Sequence, residues 1–290
     1  MDISPRRINA NGFDVAYLEM GAGPLALCLH GFPDSAWTWR LLLPELARAG
    51  FHAVAPWLRG FAPSAVPSDG RYQNGALVAD ATALHDALGG DADAVVIGHD
   101  WGARAANGAA AFAPDRWRRV VTAAVPPPGA IAAGFLTYEQ LHRSWYMFFF
   151  QSPLAEIAVA LDDLAFIDRL WADWSPGYDA SSDLVHVKES LRDPANLGAA
   201  LGFYRATLNA ELQVPELAAH EAAVNATPPQ PHLYLHGRDD GCMGVELAEA
   251  AGAFLPAEGS RVEIVDGAGH FLHLEQPERV NRLIVDFVGA

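Results

Sequence analysis

Val95-Val96-Ile97-Gly98-His99-Asp100-Trp101-Gly102-Ala103 is the stretch from which the rest of the chain is read. Its opening β-branched residues have the composition of a buried strand. The Ala-rich run that follows, residues 103–112, is helix-forming. A strand, a sharp turn and a helix, with one acidic residue bracketed by Gly98 and Gly102, is the Gly-x-nucleophile-x-Gly pattern of a nucleophile elbow. A side chain at either glycine would crowd the backbone of so tight a turn. The nucleophile position, usually Ser, is Asp100 here. A carboxylate in that place attacks an electrophilic sp³ carbon and leaves an ester on the protein. An acidic residue at a helix start is also a common N-cap, so the partners of Asp100 must decide between the two readings.

Outward from the elbow, strands and helices alternate. Residues 13–20 alternate enough for an early strand. The continuous apolar run 25–29 reads as a strand buried on both faces, and it leads into His30-Gly31-Phe32-Pro33. Trp39, Leu42, Leu43, Leu46 and Ala47 recur at helical spacing until Gly50 stops them. A strand over 51–55, a helix over 77–88, the elbow and a strand over 120–125 follow. Residues 129–227 show helical periodicity and no convincing strand, between Pro126-Pro127-Pro128 and Pro228-Pro229-Gln230-Pro231. A strand over 232–236, a helix over 245–254, a strand over 261–265 and a helix over 277–288 complete the chain. The expected fold is α/β: a mostly parallel sheet with helices on both faces, core residues 1–127 and 228–290, and an inserted helical cap at 128–227.

A carboxylate nucleophile needs a base that later activates water, and a group that orients the base. Two loops directly after strands offer them: Gly237-Arg238-Asp239-Asp240-Gly241 and Gly267-Ala268-Gly269-His270-Phe271. The order nucleophile, acid, His is that of α/β hydrolases, and ligands bind where the strands of an open parallel sheet end. His270 is the expected base. Asp240, rather than Asp239, is the expected orienter from the Gly-x-x-Asp spacing, the other aspartate being a turn residue. His99 and His273 read as structural.

His30-Gly31-Phe32-Pro33 with Trp39-Arg40, Gly98-His99-Asp100-Trp101-Gly102 and Gly269-His270-Phe271 together resemble the epoxide hydrolases of the α/β-hydrolase fold and the related haloalkane dehalogenases, over essentially the whole chain. The resemblance implies an oxyanion hole made by the backbone N–H groups of Phe32 and Trp101, a candidate cis bond at Phe32–Pro33, and two cap tyrosines that protonate the opening epoxide. One tyrosine precedes Phe150-Gln151-Ser152-Pro153 and corresponds to Tyr146. The other lies in the pair Tyr204-Arg205. Tyr138 and Tyr178 fall in the same interval and keep that assignment open. The fork is the leaving group: an alkoxide needs a proton, a halide does not. Dehalogenases of this kind often carry Asn where this chain has Phe32, and the fluoroacetate type often carries Arg where it has Trp101, so the resemblance implies an epoxide hydrolase. A haloalkane or haloacid dehalogenase using Asp100, Asp240 and His270 is the alternative.

Composition sets the outer bounds. The 290 residues are 51% hydrophobic with a formal net charge of −16, which argues against partners such as nucleic acid or an anionic membrane surface. Of the two cysteines, Cys28 and Cys242, the first lies inside an apolar strand, so a disulfide framework is not expected and a reducing, cytoplasmic compartment is. The N-terminus lacks the apolar segment of a signal peptide. No cofactor or metal is expected, because the sequence has no Cys/His cluster of ligand spacing. The expected partners are a small epoxide and the catalytic water; the oligomeric state stays open.

Overall fold

The computed structural model describes residues 4–290. Its centre is an eight-stranded sheet: β1 (Arg6–Ala10), β2 (Phe13–Met20), β3 (Leu25–Leu29), β4 (His52–Pro56), β5 (Val95–His99), β6 (Arg119–Ala123), β7 (His232–Gly237) and β8 (Arg261–Val265), in the spatial order β1-β2-β4-β3-β5-β6-β7-β8. β1 pairs with β2, and β2 with β4, antiparallel; all later pairs are parallel. The parallel strands carry no polar face: every residue of β3, β5 and β7 is buried. That pattern requires cover on both sides. Helices Leu43–Arg48 and Pro277–Gly289 pack together on one side, and Asn74–Ala87, Trp101–Phe112 and Ala218–Val224 on the other.

The chain reverses its direction of growth across the sheet between β3 and β5, which lie side by side with Leu29 opposite Gly98. A crevice forms outside the C-terminal ends of the strands at such a point. The loops after β3, β5, β7 and β8 all open into it. Between β6 and β7 the described residues form helices only: Pro128–Gly134, Tyr138–Arg143, Trp145–Phe149, Ala155–Trp174, Ser181–Leu191 and Pro194–Leu208, then Ala218–Val224 back against the sheet's helices.

Three details depart from the sequence expectations. The helix expected around Trp39–Ala47 is a 3-10 turn, Ala36–Leu41, followed by a short α-helix, Leu43–Arg48. Pro44 explains the break, since it lacks an N–H and its ring clashes with the preceding turn. The helix expected over 245–254 ends at Glu249 and continues as a 3-10 turn, Ala251–Phe254, where Gly252 weakens helix formation. Strand β1 was not anticipated: Arg6, Arg7 and Asn9 are exposed on this edge strand and supply no apolar alternation. Within Ala155–Trp174, Leu161 is extended and Asp162, Asp163 and Leu164 are left-handed, so this segment is two helices across a kink.

Candidate active site

The elbow places Asp100 at φ 53°, ψ −119°, a region that non-glycine residues rarely occupy. The two glycines make room for it. A Cβ on Gly98 would lie 2.0 Å from the Gly102 carbonyl oxygen, and one on Gly102 would lie 2.1 Å from the carbonyl oxygen of Leu29 in the adjacent strand. Asp100 stands at the N-cap position of helix Trp101–Phe112 without capping it. Its Oδ1 instead accepts the Phe32 backbone N–H at 2.7 Å. The Phe32–Pro33 bond is cis. The Phe32 loop is braced by two hydrogen bonds: His30 Nε2 accepts the Leu58 N–H at 3.0 Å, and the Trp171 indole N–H donates to the Pro33 carbonyl at 2.8 Å. Burial raises the Asp100 pKa above its ordinary value, against the lowering effect of His270 and of the Phe32 and Trp101 N–H groups.

His270 lies between two carboxylates. Its Nδ1 is 3.0 Å from Asp240 Oδ2 and its Nε2 is 3.7 Å from Asp100 Oδ2. Asp240 is buried, whereas the neighbouring Asp239 is exposed. The second Asp240 oxygen accepts the backbone N–H groups of Cys242 at 2.7 Å and Met243 at 2.9 Å. A carboxylate so fully committed acts as an acceptor for Nδ1–H, which leaves Nε2 as the basic nitrogen. Burial lowers the His270 pKa, but the charge and hydrogen bond of Asp240, and then the charge of Asp100, outweigh it and hold the pKa above the ordinary imidazole value.

Tyr146 and Tyr204 come down from the helical segment onto the same spot. Both are buried, their rings meet edge to face at 5.6 Å, and both line one pocket together with Asp100, Trp101, Cys242 and Met243. The Tyr204 hydroxyl makes no hydrogen bond among the described residues. The Tyr146 hydroxyl meets only the Cys242 thiol, at 3.3 Å. Burial pushes both phenols well above their ordinary pKa, so both keep their protons near neutrality. The other two tyrosines of this interval stand elsewhere: Tyr138 is 79% exposed, and Tyr178 donates to Asp183 at 2.8 Å.

The sequence reading missed Cys242, which no motif marks, and the bracing provided by Trp174. The Trp174 carbonyl accepts the N–H groups of Gly241 at 3.1 Å and His270 at 3.0 Å, so one peptide of the helical segment holds both the Asp240 loop and the His270 loop. It also missed two close groupings of possible metal ligands, Asp240–Cys242–His270 and Asp34–His99–His273, each with donor atoms within 4.8 Å of one another. In the first, Asp240 is already saturated by N–H donors and burial holds the Cys242 thiol protonated. In the second, His99 Nε2 binds the His270 carbonyl at 2.9 Å and His273 Nε2 meets Thr38 Oγ1 at 2.5 Å. His99 and His273 thus buttress the loop carrying His270.

Known proteins resemble this chain in sequence and in fold. The family described as alpha/beta hydrolase fold matches residues 24–277. An epoxide hydrolase of Caballeronia sordidicola is 30% identical, with 97% of this chain and 92% of that protein aligned. Epoxide hydrolase 4 of Mus musculus is also 30% identical, over 97% of this chain and 78% of its own. The crystal structure of epoxide hydrolase A from Mycobacterium thermoresistibile superposes with a TM-score of 0.80 at 28% identity, covering 99% of this chain and 98% of that one. The chain therefore belongs to the α/β-hydrolase fold family and, within it, to the group of the epoxide hydrolases.

Proposed function

We propose that the chain hydrolyses an epoxide to a vicinal diol through a covalent ester on Asp100. The observation that carries this reading is the convergence of two kinds of group on one pocket. A buried carboxylate with an imidazole behind it lies on one side, and two buried phenols lie on the other, one free of hydrogen bonds and one bound only to a thiol. A halide needs no proton to leave; an alkoxide does, and phenols that stay protonated supply it.

In this mechanism an Asp100 oxygen attacks one epoxide carbon while the carbon–oxygen bond breaks. Tyr146 and Tyr204 share the developing negative charge, and one of them gives up its proton. His270, held by Asp240, then takes a proton from water, and the hydroxide attacks the Asp100 carboxyl carbon. The Phe32 and Trp101 N–H groups stabilise the resulting oxyanion. The ester collapses, the diol leaves, and the proton on His270 returns to the phenolate. Residues 128–227 act as the cap, with the tyrosine-bearing helices Trp145–Phe149 and Pro194–Leu208 covering the nucleophile. The two free, buried cysteines suit a reducing compartment such as the cytoplasm, and no helix of the described residues is long and apolar enough to cross a membrane.

A single turnover in ¹⁸O-water with excess enzyme tests the reading. The diol should stay unlabelled and the label should enter a peptide containing Asp100. Label in the diol on that first turnover means direct attack by water and removes the covalent mechanism. Haloalkanes run in parallel report the other chemistry: halide release without diol formation from any epoxide would make the protein a dehalogenase.

A further inference from the structure

Arg104 lies one helical turn beyond Asp100 and lines the same pocket. Its Nε donates to Asn74 Oδ1 at 2.9 Å. Its two terminal nitrogens make no hydrogen bond or ion pair with any described residue. The acids that act on it are Glu221 and Asp100. Glu221 is committed elsewhere: its oxygens accept Asn74 Nδ2 at 3.2 Å, Gln73 Nε2 at 3.3 Å and the Gly75 N–H at 2.7 Å. Asp100 is held by Phe32 and faces His270. Thr207 stands beside the same network. Its hydroxyl accepts Asn74 Nδ2 at 3.1 Å, which leaves its own hydrogen to donate into the pocket it lines.

The remaining wall is apolar, formed by Val125, Ile131, Phe135 and Met147. A guanidinium in such surroundings, with terminal N–H groups that no protein acceptor claims, favours an anion over a neutral group in the pocket. Its planar fork fits a carboxylate with two parallel hydrogen bonds. Arg104 is also part of the wall of an adjoining narrow cleft, so it stands at the boundary of the pocket and not over its centre. Four residues of helix separate it from Asp100 by roughly 6 Å along the axis. That spacing lets a ligand span both groups while keeping its own charge away from the nucleophile.

We infer that Arg104, with Thr207 beside it, binds a carboxylate on the substrate, so that this pocket takes epoxy acids, with the oxirane between Asp100 and the tyrosines and the carboxylate on the guanidinium. The assignment rests on the epoxide-hydrolase reading above for the reacting end and on Arg104 alone for the charged end.

The test is the ratio of kcat/KM for a terminal epoxy acid to that for its primary amide, measured for the butanoic, hexanoic and octanoic homologues. The wild type should prefer the acid by about tenfold or more at one chain length. Arg104→Gln should abolish that preference and Arg104→Lys should keep part of it. The ratio cancels any general loss of activity caused by the substitution. A wild-type ratio near one, or a ratio that Arg104→Gln leaves unchanged, overturns the inference. Binding of hexanoate and hexanamide, followed by calorimetry on both proteins, needs no turnover and separates the two readings. If no epoxide is hydrolysed but hexanoate binds about tenfold tighter than hexanamide only when Arg104 is present, the carboxylate site stands and the epoxide reading falls. If epoxides are hydrolysed and hexanoate has no advantage, the carboxylate site falls and the epoxide reading stands.

Discussion

The loops at the strand ends and the helical segment above them treat polar groups in opposite ways. On the sheet side the two carboxylates are committed, and His270 Nε2, 3.7 Å from Asp100, is left without a hydrogen bond. Asp240 accepts two backbone N–H groups and faces His270, while Asp100 accepts the Phe32 N–H. On the helical side the Tyr204 hydroxyl has no partner and the Tyr146 hydroxyl has only a thiol. A buried polar group without a partner costs free energy, so it persists where something outside the protein supplies the partner. The difference teaches a division of labour. In the proposed mechanism the sheet side holds groups that must not move while an ester forms and breaks, and the helical side keeps its donors free for an oxygen that exists as an alkoxide only during the reaction. The two sides are not independent. Trp171 and Trp174, both on the helical segment, brace the Phe32–Pro33 loop and the loops of Asp240 and His270.

The largest effect is expected at Asp100. Asp100→Ala should lower diol formation by more than about 10⁴-fold and leave no epoxide-mass adduct by intact-protein mass spectrometry. Retained activity would mean that the committed side is only scaffolding. His270→Gln should instead let the adduct form and persist, with steady-state turnover reduced by about 10²–10⁴-fold. An epoxide accepted by the wild type that leaves no adduct on this variant would contradict the separate roles of nucleophile and base.

The free donors come next. Tyr146→Phe and Tyr204→Phe should each slow alkylation by up to about 10²–10³-fold, and the double variant should be nearly inactive on epoxides. Stopped-flow alkylation at wild-type speed in all three would reduce both tyrosines to core aromatics. Cys242→Ala sharpens the contrast within the helical side. Tyr146 loses its single partner there, and because a neutral hydrogen bond contributes about 1 kcal/mol, alkylation should fall less than about tenfold.

The smallest effect is a shift in pH dependence. The His270 pKa is raised, so the protonated, non-basic form persists to a higher pH than in an ordinary imidazole. Asp100 contributes to that rise only while it is charged, and it is neutral as an ester. The acidic limb of ester hydrolysis should therefore lie below the pKa of His270 titrated by NMR in the resting enzyme, and Asp240→Asn should move both to lower pH. Coincident values in the wild type would mean that the Asp100 charge has no hold on His270 across their 3.7 Å separation.

Much of this was legible in the residues. The β-branched runs, the two glycines around Asp100 and the Gly-rich loops around Asp240 and His270 are local features, and local rules of strand, turn and helix govern them. They were enough to order the elements of the core and to choose Asp240 over Asp239, which is exposed. Tyr146 and Tyr204 were reached through resemblance; periodicity alone marks them as aromatics like Tyr138 and Tyr178. Only the tertiary structure separates the four, because whether a phenol is solvated, bonded to a neighbouring acid or left unpartnered in the Asp100 pocket depends on helices distant in sequence. The same holds for Cys242 under Tyr146, for the Trp174 carbonyl that ties two loops together and for the free guanidinium of Arg104. Each depends on what lies opposite in space, and a chain read in one dimension fixes the donor and the acceptor without fixing whether they meet.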